Sequence, residues 1–259
     1  MTLNGIDVYY ERGGSGPPLL FCNGSGATLE SSAPVIEQFR RHFDVVAHDQ
    51  RGLGRTSIPD EPFTMAQYAA DAAALLDHVG WVTSAVVGIS FGGMVAQEYA
   101  VTFPERVTRL ALVCTSAGGA GQPSYPLHEL ATRPVEEQAE IALRLLDTRF
   151  SPEWLAAHPQ DLAMVQARAD RPPRTAEQRR GELAQLAARS HHDVWERLPK
   201  ITAPTLVAGG RFDGIAPPAN SEAIAAQIPG ATLRLYEGGH LFFVQDRTAM
   251  PEIVSFLAG

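Results

Sequence analysis

The segment Val86-Val87-Gly88-Ile89-Ser90-Phe91-Gly92-Gly93 sets a serine among glycines, after an apolar run and before a helical pattern. A Gly-x-Ser-x-Gly turn from strand to helix projects the serine hydroxyl clear of the backbone. Glycine is needed around it because side chains there would strike the adjoining strand and helix. The chemistry this suits is nucleophilic attack by Ser90. The helix that follows aims its N-terminal N–H groups, Phe91 first, at any oxyanion forming beside that hydroxyl. One such donor contributes about 3 kcal/mol of transition-state stabilisation. Gly and Ser also serve ordinary turns, so the pattern carries weight only in its strand-to-helix setting.

A serine hydroxyl is a weak nucleophile at its own pKa and needs a general base, which needs an orienting acid. The chain has eight histidines. His240, in Glu237-Gly238-Gly239-His240, lies just past the last predicted strand, where a loop can reach Ser90. His42, His78, His128, His158, His191 and His192 sit in or beside predicted helices, where a solvated side chain is the default. His48 closes a strand and belongs with the Asp49 turn. For the acid, Thr115-Ser116-Ala117-Gly118 after one strand offers no carboxylate, whereas Gly209-Gly210-Arg211-Phe212-Asp213-Gly214 after the next offers Asp213. The chain order Ser90, Asp213, His240 matches that expected when a serine elbow tops a parallel sheet. Read alone, Asp213 would equally suit a turn between Phe and Gly. A second oxyanion donor is expected from the loop after Leu19 to Cys22, in Asn23-Gly24-Ser25-Gly26. Register favours the Ser25 N–H, with Gly24 next; the same glycines would equally serve a flexible turn.

These residues need a scaffold that brings distant loops to one edge. Short β-rich runs occur at Ile6 to Tyr10, Pro18 to Cys22, Asp44 to Ala47, Ser84 to Val87, Val107 to Cys114, Thr205 to Ala208 and Thr232 to Tyr236. Several are apolar throughout, as strands buried on both faces of a parallel sheet should be. Helical patterns fall between them: one opened by the capping box Thr64 to Gln67 and ending near Gly80, one from about Phe91 to Phe103, one from about Pro218 to Gln227. The alternation predicts an α/β fold with a doubly wound, mostly parallel sheet. Residues 118–200 break the rhythm. They carry helical patterns at Glu137 to Asp147 and Thr175 to Arg189, the latter opened by a second capping box, separated by prolines. This reads as a compact helical insertion able to fold over the sheet edge as a lid, or as ordinary extra helical structure.

Composition bounds the partners. The 259 residues carry 21 Lys and Arg against 29 Asp and Glu, a net charge of −8, with 45% hydrophobic residues. No basic cluster of the kind nucleic acid or an anionic membrane requires is present. The start lacks the basic end and apolar stretch of a signal peptide, and no segment reaches the roughly 18 apolar residues of a membrane span, so a cytoplasmic location is expected. Cys22 and Cys114 each end an apolar run and read as small buried side chains rather than a disulfide. No metal-ligand spacing appears.

The whole set of motifs resembles the α/β-hydrolase superfamily: Asn23-Gly24-Ser25-Gly26, Asp49-Gln50-Arg51-Gly52-Leu53-Gly54-Arg55-Thr56, the Ser90 elbow, Phe212-Asp213 and Gly239-His240. The likeness spans nearly the whole chain, and Ala216-Pro217-Pro218-Ala219 with His240-Leu241 is most similar to 3-oxoadipate enol-lactonases and small-ester hydrolases. It implies an α/β-hydrolase core at 1–117 and 201–259, with a helical cap at 118–200 inserted after the superfamily's sixth strand. It implies no chemical role for Asp49 to Thr56. The implied activity is hydrolysis of a small-molecule carboxylic ester or lactone, with Ser90 as nucleophile, His240 as base and Asp213 as orienting acid. Phe91 and Ser25, or Gly24, would form the oxyanion hole, without cofactor or metal. Asn23 departs from the His that many relatives carry there. Enzymes that hydrolyse carbon–carbon bonds share Gly24-Ser25-Gly26 but usually differ at the positions of Ile89 and Leu241, so that activity stays as an alternative. A ligand-binding member without turnover is another, and an acyl acceptor other than water would use the same residues. Aspartate-nucleophile dehalogenases and epoxide hydrolases are disfavoured by Ser90. The cap arginines Arg133, Arg144 and Arg168 could recognise an acid; no cap residue is assigned a binding role.

Overall fold

The structure, a computed structural model, describes residues 1–130, 132–170 and 172–259. Its apolar runs pair as expected. β3 (Tyr10–Gly14), β4 (Pro18–Cys22), β5 (Asp44–His48), β6 (Ser84–Ile89), β7 (Val107–Val113), β8 (Thr205–Gly210) and β9 (Thr232–Tyr236) form one sheet in the order β3-β5-β4-β6-β7-β8-β9. Only β3 runs antiparallel, on β5. The other neighbours are parallel, which sends the loops after β4 to β9 to the same edge.

The period of two along each strand divides the core. Leu20 and Cys22 face α2 (Met65–His78) and α3 (Phe91–Thr102), joined by α9 (Pro218–Gln227). Leu19 and Phe21 face α1 (Leu29–Arg40) and α11 (Ala249–Ala258). Both predicted capping boxes form, Thr64 with Gln67 and Thr175 with Gln178.

Two local expectations change. Ile6 to Tyr10 is not one strand: β1 (Thr2–Leu3) and β2 (Ile6–Asp7) make a separate small hairpin, and the main-sheet strand starts at Tyr10. Asn4 and Gly5 both hold positive φ, 48° and 78°, the pair needed for a tight hairpin turn. α1 is the second difference. Ser31, Ser32 and Pro34 weaken its helical signal, yet Thr28 caps it and Leu29, Ile36 and Phe39 bury against the sheet.

Between β7 and β8 the described residues form the helices α4 (Leu127–Leu130), α5 (Val135–Leu146), α6 (Pro152–Ala157), α7 (Pro159–Ala169) and α8 (Ala176–Ser190). A lone bridge from Gly118 to Asp193 ties the two ends of this stretch together. Leu146, Phe150 and Leu155 make a small core of its own, against which Trp154, Met164 and Val165 pack. On the other side α8 lies so close to the core that a Cβ on Gly181 would collide with the Gly52 carbonyl. After β9 a short helix, α10 (Phe242–Gln245), precedes α11. Among the described residues no helix is long and apolar enough to cross a membrane.

The Asp49 to Thr56 loop is a structural knot. Asp49 accepts the Leu29 N–H at 2.7 Å and the Arg55 N–H at 2.9 Å, joining this loop to the start of α1. Arg51 makes two hydrogen bonds, at 2.9 and 2.8 Å, to the buried carboxylate of Asp71 on α2. Removing one member of a buried ion pair strands the other. Asp71→Asn is therefore expected to destabilise the fold by about 3–5 kcal/mol, read as a lower urea midpoint; an unchanged midpoint would show that the pair does not hold the loop.

Candidate active site

At the elbow, Ser90 holds φ 57° and ψ −115°, a region few side chains adopt. The neighbours force this. A Cβ on Gly88 would collide with the Gly92 carbonyl, one on Gly92 with the Cys22 carbonyl, and one on Gly93 would lie 2.6 Å from Thr115 Cβ. The Ser90 N–H donates to the Val113 carbonyl at 2.8 Å, and its own carbonyl accepts from Thr115 Oγ1 at 2.8 Å. The Phe91 ring, fully buried, meets Tyr68 edge-on at 5.0 Å and fixes the first turn of α3.

The three residues predicted to act together do converge. His240 Nε2 lies 2.9 Å from Ser90 Oγ, and His240 Nδ1 lies 2.8 Å from Asp213 Oδ2. The carboxylate's other oxygen accepts the N–H groups of Ile215 at 2.8 Å and Ala216 at 2.9 Å, which pins its plane. Asp213 and His240 are both buried. With Nδ1 protonated and facing Asp213, Nε2 is left to accept the Ser90 O–H. The arrangement can take a proton from Ser90 while holding the imidazolium that results.

The loop after β4 comes to the same place. Gly24 packs against the elbow, so that a Cβ there would lie 3.7 Å from Ser90 Cβ. Among the described residues the N–H groups of Phe91, Gly24 and Ser25 have no acceptor. Gly26 N–H, by contrast, donates to Gln185 Oε1 on α8 at 2.8 Å. Asn23 ties the loop twice: Gln50 Nε2 donates to its carbonyl at 2.7 Å, and its own Nδ2 donates to the His48 carbonyl at 3.4 Å.

The remaining histidines stay apart from Ser90. His42, His78, His158 and His191 are exposed, as expected of solvated side chains. His192 departs from that default, being buried just past the end of α8, close to Ser116. Cys22 and Cys114 are buried and free, and burial pushes the Cys22 thiol up to about 12, so neither offers a thiolate. Arg144 is exposed, and the exposed Arg133, just before α5, lies 3.7 Å from Glu137 in its first turn. Trp154, Leu155, Met164 and Val165 pack among themselves. Among the described residues no group of three or more His, Cys, Asp and Glu side chains is arranged to hold a metal ion. Sequence reasoning missed Gln185, Asp147 and Gln245, whose contacts join segments far apart in the chain and leave no local signature.

A parallel sheet with a strained serine at the turn into α3 and loops converging at its carboxyl edge defines a class. The family model for the alpha/beta hydrolase fold matches residues 17–246, and the chain belongs to that family. It is 33% identical over 243 residues to a poly(3-hydroxyalkanoate) depolymerase of Ectopseudomonas oleovorans, covering 93% of this chain and 84% of that protein. It is 29% identical to 3-oxoadipate enol-lactonase 2 of Acinetobacter baylyi, over 92% of this chain and 87% of the relative. Among solved structures, the enol-lactonase from Burkholderia xenovorans LB400 superposes with a TM-score of 0.81 at 25% identity, covering 99% of this chain and 98% of that one.

Burial lowers His48 from its ordinary 6.5 to about 4. His192 falls to about 3, chiefly through burial, with Arg197 and Arg189 adding repulsion. Both folded values lie below the unfolded one, so the unfolded chain binds more protons in acid. The stability these residues contribute is present above pH 6.5 and is lost as pH falls toward about 4 and about 3. The urea midpoint is expected to be flat near neutrality and to fall below pH 6.5, less steeply in His192→Gln; identical slopes would contradict the assignment.

Proposed function

We propose that this chain is a serine hydrolase that cleaves a small-molecule carboxylic ester or lactone through an acyl-enzyme. The observation that carries the reading is the unbroken relay from Asp213 through His240 to Ser90, at 2.8 and 2.9 Å. Ser90 Oγ attacks the carbonyl carbon as its proton passes to His240 Nε2. The carbonyl π electrons move to oxygen, giving a tetrahedral oxyanion that the N–H groups of Phe91 and of Ser25 or Gly24 receive. Collapse breaks the C–O bond, and His240 returns the proton to the departing alkoxide. In a lactone that alkoxide remains tethered to the acyl group. Water, deprotonated by the same imidazole, then attacks the acyl-enzyme and releases the acid. Asp213 keeps the ring in one tautomer and stabilises its cation without itself taking the proton.

The division into a core at 1–117 and 201–259 and a cap at 118–200 belongs to the same reading. α8 supports it, since Gln185 reaches the oxyanion loop from above, and Arg174 Nη2 donates to the Gly26 carbonyl at 3.3 Å. A helical cover of this kind excludes water and shapes a small pocket around an acyl group. The relatives bearing depolymerase and enol-lactonase names support ester or lactone substrates.

Ser90→Ala is expected to fold normally and lose at least about a thousandfold in kcat on any good ester. A fluorophosphonate probe is expected to label the native chain at Ser90 and to leave the variant unlabelled. Undiminished turnover by Ser90→Ala would overturn the mechanism, and a folded native protein that takes no label would favour a ligand-binding role.

A further inference from the structure

The base and the acid sit on loops from different strand ends, β9 and β8, and a third segment grips both. It is the end of α5 together with the turn that links it to α6. The Leu146 carbonyl accepts the His240 N–H at 2.6 Å, the Leu145 carbonyl accepts the Gly214 N–H at 3.2 Å, and the Thr148 N–H donates to the Phe212 carbonyl at 2.9 Å. Gly239 leaves no space between the layers, because a Cβ there would collide with the Leu146 carbonyl.

Side chains close the same clamp. Gln245, one turn of chain beyond His240, accepts the Gly239 N–H on Oε1 at 2.8 Å. Its Nε2 donates to Asp147 Oδ2 and Asp161 Oδ1, each at 3.1 Å. Asp147 is wholly buried and takes two bonds from the Arg149 side chain, at 2.9 and 2.6 Å. That guanidinium lies 3.9 Å from the centre of the Phe212 ring, next to Asp213. Asp161 is held in turn by Trp154 Nε1 at 3.0 Å. Burying a carboxylate is costly unless its partners are well placed. Both side chains that satisfy Asp147 also touch a loop of the relay: Gln245 reaches the residue before His240, and Arg149 the residue before Asp213.

We propose that Asp147 and Gln245 are positioning residues through which the α5–α6 turn holds the His240 and Asp213 loops in mutual alignment. The proposal rests on the hydrolase reading above and deepens it. The helical stretch then acts as part of the catalytic frame rather than only as a cover, because moving it would shift the imidazole relative to both of its partners. Neither residue touches the reacting atoms. Their effect belongs to acylation rather than to substrate binding, since a misplacement of about 1 Å can cost on the order of a hundredfold in rate.

The test is Gln245→Met, close in size but unable to bond Gly239 or either carboxylate. Rates are measured per active site, counted by fluorophosphonate titration. The acylation rate is expected to fall about tenfold to a hundredfold with KM nearly unchanged. The downfield proton resonance of His240 Nδ1–H is expected to shift or broaden in the free protein. Asp147→Asn should behave alike. A folded Gln245→Met with the native per-site rate and an unchanged resonance would overturn the proposal. So would a loss confined to the number of titratable sites, or failure of both Gln245→Met and Asp147→Asn to fold, since each would make the turn a purely structural element. The resonance needs no substrate. Its change in a protein that turns over no ester would uphold the clamp and refute only the hydrolase reading.

Discussion

Ser90 occupies a backbone conformation that costs a side-chain-bearing residue on the order of 1–3 kcal/mol, and the surrounding structure must hold it there. It does so from three sides. β6 delivers the residue and α3 departs from it, with glycines at 88, 92 and 93 because backbone and side-chain atoms leave no room for a Cβ. Val113 and Thr115, from the end of β7, bond its N–H and carbonyl. The strained turn thus depends on two adjacent parallel strands ending level, a property of the sheet rather than of the loop.

That same sheet explains how residues 90, 213 and 240 meet. Because β4, β6, β7, β8 and β9 are parallel, the loop after β4, the elbow, the Asp213 loop and the His240 loop all emerge at one edge. Parallel strands supply proximity, but not alignment to a few tenths of an ångström. Alignment comes from bonds outside the strands: two N–H groups on Asp213, the main-chain bonds of the α5–α6 turn, and the Gln245 clamp. The two sides of the helical stretch divide the labour. Gln185 of α8 reaches the loop after β4, and the end of α5 with the turn beyond it reaches the Asp213 and His240 loops.

Much of this was legible in the sequence where chemistry and local structure coincide. Ser90 stood out because its glycines, its strand and its helix are adjacent in the chain. Asp213 and His240 could be chosen because each follows an apolar strand closely, and the alternative strand end lacked a carboxylate. Elsewhere local signals were weak or misleading. α1 was hidden by Ser31, Ser32 and Pro34, and its stability comes from tertiary burial of Leu29, Ile36 and Phe39. Tyr10 to Gly14 is an edge strand, paired on one side only and carrying Glu11 and Arg12, so it lacks an apolar run. His192 follows a helix in sequence like any solvated residue, and its burial comes from tertiary neighbours such as Ser116 and Gly118 that the local pattern does not show. The Asp147 to Gln245 contact spans 98 residues, and nothing at either end announces the other.

The most direct measurement is rapid-quench mass spectrometry of the native chain mixed with a slowly hydrolysed ester. An adduct of the acyl group's mass is expected on the peptide containing Ser90, rising and decaying as product appears. Product forming with no adduct, or with the acyl group on a different residue, would contradict the account.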